Sequence, residues 1–201
     1  FYISANVPLN RWCQAINAYL PDDIVAKAAF AVPDDFHSRR LAIAKTYKYT
    51  VNIGSICDVF QKHLQYHFPR RMNIEKMVLA SRVLLGEHDF TSFAYTHSKR
   101  RSNVRVITDI SVNVRKTNDP TNQVIDFYIT GTGFLQYMVR IIIGTLLQVG
   151  VGKKSEQDLK VILQAKNRLF AGPTAPACGL ILWNVFYPEK YGLLLESDEV
   201  K

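Results

Sequence analysis

Arg140 is the residue whose chemistry this sequence most needs to explain. It is the one charged side chain between Gly131 and Gly152, in GTGFLQYMVRIIIGTLLQVGVG. A guanidinium cannot shed its proton to escape burial. Buried, it therefore needs a carboxylate, a phosphate or water in reach, because an unpaired buried charge is costly. Two readings stand. Arg140 either snorkels from the edge of a core helix, or it faces an anionic group in a site.

A second set of residues carries a different chemistry. Arg39 and Arg40, the run Lys99, Arg100 and Arg101, and Arg105 fall near strand ends or in loops, where side chains are presented to ligands. Phe36, Tyr47, Tyr49, Phe93 and Tyr95 interleave with them. Cations for phosphates and rings for unstacked bases are what single-stranded or looped RNA requires. A solvated basic loop beside core aromatics fits the same residues. His63 and His67 are four apart, but no Glu stands in a metalloprotease spacing and Pro69 follows closely, so no metal site is expected. Neither common phosphate-binding glycine loop occurs, and no nucleophile dyad is visible.

The elements that must position these groups follow from hydrophobic spacing. Phe134 to Val149 is apolar at nearly every helical position and reads as a helix buried on most sides, ended by Gly150 and Gly152. Ala42 to Ile53 alternates, with Tyr47, Tyr49, Val51 and Ile53 on one face of a strand. Pro8 to Leu20 has a helical apolar face, and Ile24 to Val32 reads as a strand. Asn73 caps a helix that Gly86 ends, and Ser155 with Asp158 opens another running to about Lys166. Glu87 to Asn103 is a long polar loop. Strands are expected at Val104–Lys116, Gln123–Thr130 and Leu180–Tyr187, the first two joined by a turn at Asn118-Asp119-Pro120. Strands and helices mix without regular βαβ alternation, which points to an antiparallel α+β domain.

Composition narrows the partner. The chain has 201 residues and a net charge of +8, which makes a polyanion such as nucleic acid the first guess. Its three cysteines, Cys13, Cys57 and Cys178, are far apart and odd in number, so a reducing cytoplasm is expected rather than a disulfide framework. Gln136, Arg140 and Gln148 interrupt the apolar stretch and argue against a membrane span. The opening residues Phe1, Tyr2 and Ile3 read as the middle of a strand, and an upstream segment is expected.

Four ordered motifs resemble the tRNA pseudouridine synthase A family. VPDDFHSRRLAIAKTYKY at 32–49 resembles its approach to a Tyr-x-Tyr pair, and LLGEHDFTSF at 84–93 its Gly-x-His-Asp-Phe-x-x-Phe turn. GTGFLQYMVRIIIGTLLQVG at 131–150 is similar to its Phe-x-x-x-Met-Val-Arg helix, and TAPACGLILWNVFYP at 174–188 to its Ala-Pro-x-x-Gly-Leu segment. The resemblance implies a pseudouridine synthase fold with most of the N-terminal domain missing: residues 1–33 as that domain's tail, 34–201 as the C-terminal catalytic and RNA-binding domain. It implies isomerisation of uridine to pseudouridine in the anticodon stem-loop of tRNA, at positions 38 to 40, with no metal or cofactor, by a homodimer. It further implies that Tyr47 stacks on the flipped base and that Arg140 pairs with the catalytic carboxylate. Arg39, Arg100, Arg101 and Arg105 are the candidate phosphate contacts. The family's nucleophilic aspartate stands in a Gly-Arg-Thr-Asp-x-Gly-Val-His motif, which these 201 residues lack. The chain alone is therefore expected to be inactive, and a non-catalytic RNA-binding remnant is the alternative; a purely structural or subunit role is the third.

Overall fold

In the computed structural model, which describes residues 7–95, 102–116 and 123–193, the alternating stretch becomes strand β1, Ala44–Asn52. The chain divides into two compact units, one of Ile43–Phe186 and a smaller one drawn from Phe1–Ala42 and Tyr187–Lys201.

The larger unit is built on a six-stranded sheet. Its strands are β1, β2 (Tyr66–His67), β3 (Gly86–Asp89), β4 (Val104–Lys116), β5 (Gln123–Gly131) and β6 (Leu180–Phe186), in the order β2-β1-β5-β4-β3 with β6 also on β1. All pairings are antiparallel except the two-residue parallel match of β1 with β2. The α+β architecture is the one the sequence predicts. Among the described residues three helices accompany the sheet: α2 (Ile74–Ser81), α3 (Met138–Gly150) and α4 (Glu156–Ala165). The core joins Tyr49 and Val51 of β1 and Ile125, Phe127 and Ile129 of β5 to α3, eleven of whose thirteen residues are buried. Its shape agrees with its sequence, because a helix apolar on every side has no face to give to water. Asn73 caps α2 by accepting from Lys76 N, and Ser155 with Asp158 forms a capping box on α4, both as expected.

Four expectations for the larger unit need correction. The apolar helix begins at Met138 rather than Phe134, because Tyr137 takes a left-handed conformation, φ 62° and ψ 2°, that stops helix propagation. The stretch after Leu85 does not begin as a loop: Gly86, at φ 94°, opens β3, and Thr91–Phe93 makes a 3-10 turn. The helix that Gly86 was expected to end has already passed through a 3-10 turn, Arg82–Leu84. The irregular segment 54–71 contains β2. The expected turn at 118–120 and the opening Phe1–Ile3 lie outside the described residues.

In the smaller unit the predicted helix is a 3-10 turn, Leu9–Arg11, followed by α1, Trp12–Asn17. Ile24 to Val32 forms no strand. The Asn17 side chain instead ties this segment by bonding both backbone groups of Ala26, at 2.7 and 3.0 Å, and Ile24 and Val25 are exposed. Phe36 packs against Tyr187 and Tyr191. Among the described residues no helix is long and apolar enough to cross a membrane.

Candidate active site

A pocket of about 350 Å³ opens where β5 runs into α3, lined by Tyr47, residues 134–140, Ala177 and Leu180. It brings together the two residues that the family resemblance nominates for catalysis, Tyr47 and Arg140. Tyr47 projects from the side of β1 that faces the helices, and its ring meets Phe134 edge-on at 5.0 Å. That contact holds the ring upright at the pocket wall with part of its surface open.

Arg140 lies in the first turn of α3. Its Nε donates to the Ala175 carbonyl at 2.6 Å, while Ala175 N donates back to the Arg140 carbonyl at 3.0 Å. One face of the guanidinium lies 5.1 Å from the centre of the Tyr137 ring. No carboxylate of the described residues pairs with it, and its two terminal nitrogens have no hydrogen-bond partner among them. Arg140 therefore borders the pocket with the charge oriented at Nε and the outer fork uncommitted.

The segment that receives Nε is itself pinned. Gly172 N donates to Thr145 Oγ1 at 2.9 Å, and that hydroxyl donates to the Ile141 carbonyl. At Gly144 the Pro173 carbonyl comes so close to α3 that an added Cβ would overlap it. Tyr49 Oη donates to the Pro176 carbonyl at 2.7 Å. Gly179 passes over the Tyr49 ring, where an added Cβ would come 2.9 Å from two ring carbons. Burial of Tyr49 raises its pKa well above the ordinary range, the nearby Cys178 and Tyr66 reinforce this, and the Arg140 cation only partly opposes it. Tyr49 thus keeps its proton and remains a donor. Sequence reading marked Tyr49 only as an aromatic on the strand face; its partner is 127 residues away, which spacing cannot show.

The remaining nominated residues are dispersed. Arg105, in β4, packs its side chain beside Gly133, on the loop that enters the pocket, and Nη1 donates to the Ser102 and Val104 carbonyls. Arg39 belongs to the smaller unit, where its backbone N–H donates to His37 Nδ1 at 3.2 Å. Arg100 and Arg101 lie outside the described residues. His67 Nε2 lies 2.9 Å from the Gly54 carbonyl. Asp126 is buried on the opposite face of the sheet, where it accepts from Thr50 Oγ1 at 2.7 Å and pairs with Arg115 and Lys48. Burial pushes its carboxyl up, but the Arg115 and Thr50 hydrogen bonds and the two cations outweigh this and hold it below the ordinary range. Lys48 in turn sits over the rings of Trp183 and Tyr128, at 4.9 and 5.5 Å. This cluster is internally satisfied and faces away from the pocket.

Comparison with known proteins identifies the family. A family model described as tRNA pseudouridine synthase matches residues 80–188, which include Arg140 and the whole pocket except Tyr47. The chain is 44% identical over 182 residues to tRNA pseudouridine synthase A of Bacillus subtilis (strain 168), covering 90% of this chain and 71% of that protein. It is 46% identical over 184 residues to the protein of that name from Bacillus velezensis, with the same coverage. It is 38% identical over 187 residues to tRNA pseudouridine synthase A 2 of Clostridium tetani, covering 93% of this chain and 73% of that one. The chain belongs to the tRNA pseudouridine synthase family, a class of RNA-modifying isomerases.

Proposed function

We propose that this chain supplies the base-receiving part of a site that turns uridine into pseudouridine in the anticodon stem-loop of tRNA. In this reading Tyr47 gives a stacking face to the extruded base. Arg140 pairs through its outer nitrogens with the nucleophilic aspartate, which holds that carboxylate ionised and aimed. The aspartate attacks the nucleotide, the base detaches, turns and rejoins through carbon. Arg105 at the pocket loop, with Arg39, Arg100 and Arg101, holds backbone phosphates.

The observation that carries this reading is Arg140. Its Nε is fixed by Ala175, yet no described carboxylate meets its outer fork, and the pocket beside it has an aromatic wall. None of the eleven aspartates stands in the Gly-Arg-Thr-Asp motif. In this reading the nucleophile comes from residues outside these 201. The same fact favours a second reading, in which the chain holds a tRNA stem-loop without chemistry. The reading extends to a homodimer in the cytoplasm, on the family resemblance and on three separated thiols.

The test is tritium release from 5-tritiated uridine in tRNA, since reattachment through carbon expels that hydrogen. In the enzyme supplied with the aspartate motif, Tyr47→Ala and Arg140→Ala should each abolish release, while Tyr47→Phe keeps the stacking face and loses only the hydroxyl. Full release by Arg140→Ala would remove the assignment. Sedimentation of the purified protein tests the dimer, and a monomer at assay concentration would reject it.

A further inference from the structure

Tyr137 combines three features that ordinary loop packing does not require together. Its backbone sits in the left-handed region, at φ 62° and ψ 2°, which is sterically unfavourable for a bulky residue. Its side chain is 41% exposed, so the conformation is not repaid by burying the ring. That ring lines the pocket, lies 5.1 Å from the Arg140 guanidinium carbon, and is met edge-on by Tyr95 at 5.5 Å. Tyr137 also accepts from Ile141 N through its carbonyl, at 2.9 Å. Its backbone therefore begins α3 while its side chain folds back over the first turn.

We propose that Tyr137 is a positioning residue for Arg140: its strained backbone places the ring over one face of the guanidinium. Arg140 has three restraints in this scheme. Ala175 fixes Nε, the helix fixes the stem, and the Tyr137 ring closes one face, so the outer fork swings neither out to solvent nor across the pocket. A ring quadrupole attracts a cation most strongly where water is thin. The contact thus gains where a bound base displaces water from the pocket. The proposal rests on the assignment of Arg140 made above.

The experiment pairs two variants of the enzyme supplied with the aspartate motif. Tyr137→Asn accepts the left-handed backbone at low cost but has no ring. Tyr137→Phe keeps the ring and the strain. Each is scored by melting temperature and by the kcat and KM of tritium release from tRNA, with Arg140→Ala alongside. Tyr137→Asn should melt no lower than the parent, or higher by about 2 °C as strain is relieved, and should lose kcat about tenfold with little change in KM. Tyr137→Phe should recover most of that loss.

An Asn variant with parental kcat, beside an inactive Arg140→Ala, would overturn the role of Tyr137 and leave that of Arg140 standing. If Arg140→Ala also turned over at the parental rate, both would fall. A Phe variant as slow as the Asn variant would shift the role to the hydroxyl and reject the ring contact. A large drop in the melting temperature of the Asn variant would make Tyr137 a packing residue and likewise reject it.

Discussion

Replacing Tyr49 by Phe removes one oxygen from the centre of the structure and leaves the ring under Gly179 undisturbed. The lost group donates to the Pro176 carbonyl at 2.7 Å, next to the Ala175 carbonyl that receives Arg140 Nε. A neutral hydrogen bond is worth about 1 kcal/mol net, and its acceptor belongs to the exposed Pro176, so no buried carbonyl is stranded. At about 2–4 °C per kcal/mol for a chain of this size, the melting temperature should fall by roughly 2–4 °C. The pH dependence carries a sharper signature. The folded pKa of Tyr49 is raised above the ordinary 10.0. Its protonated form therefore contributes stability that is fully present below pH 10 and is lost as pH rises toward the folded value. Over that window the parent should lose up to about 1.4 kcal/mol per pH unit through this one proton. Tyr49→Phe, with no proton to lose, should be shallower by that slope. Urea unfolding of the folded 201-residue chain between pH 8 and 11 measures both effects. Equal alkaline slopes in parent and variant would show that Tyr49 is not held protonated by its surroundings.

Three further outcomes follow from other contacts. Asp126→Asn should destabilise the fold by about 2 kcal/mol, at the low end for a buried pair because the Arg115 side chain is more than half exposed; since the folded pKa of Asp126 is below 3.8, the parent should also lose stability as pH falls from near 4 through that value, and urea titrations in which the variant matches that acid slope would contradict the cluster's role. Gly144→Ala must move the Pro173 carbonyl and with it Ala175, so thermal melting should show a loss of about 1–3 kcal/mol and tritium release should slow; an unchanged melting curve would mean that the loop yields freely. Arg100→Ala with Arg101→Ala should weaken tRNA binding and flatten its salt dependence by about one unit of slope per lost phosphate contact, and an unchanged slope in filter binding would leave those arginines merely solvated.

Much of this architecture was legible because it rests on local patterns. The alternation around Tyr47 and Tyr49 fixed both the strand and its face. Asn73 and Ser155 announced their helices through short-range capping, and the apolar run after Met138 announced a buried helix. Among the features that escaped, three did so for distinct reasons. Phe134 to Tyr137 is as apolar as the helix that follows, and periodicity does not reveal a left-handed residue. Ile24 to Val32 has strand composition, but a strand needs a ladder, and Asn17 claims the backbone of Ala26 instead. The two-residue β2 is too short to leave a pattern. At the site, a lone charge in an apolar stretch marked Arg140, whereas Tyr47 was one of five interleaved aromatics until the family resemblance singled it out. The supports of Arg140 were invisible, because Ala175 acts through its backbone and Tyr137 through a conformation.

The most direct measurement is tritium release from 5-tritiated uridine in tRNA by the 201-residue chain, alone and joined to a segment bearing the Gly-Arg-Thr-Asp motif. In the proposed reading, stacking at Tyr47 and a cation at Arg140 position a base, but neither attacks it. The account predicts no release by the chain alone, turnover when the segment is present, and loss of turnover when the segment's aspartate is changed to Ala. Clear release by the 201 residues alone would show that the nucleophile lies within them and that Arg140 serves a different carboxylate.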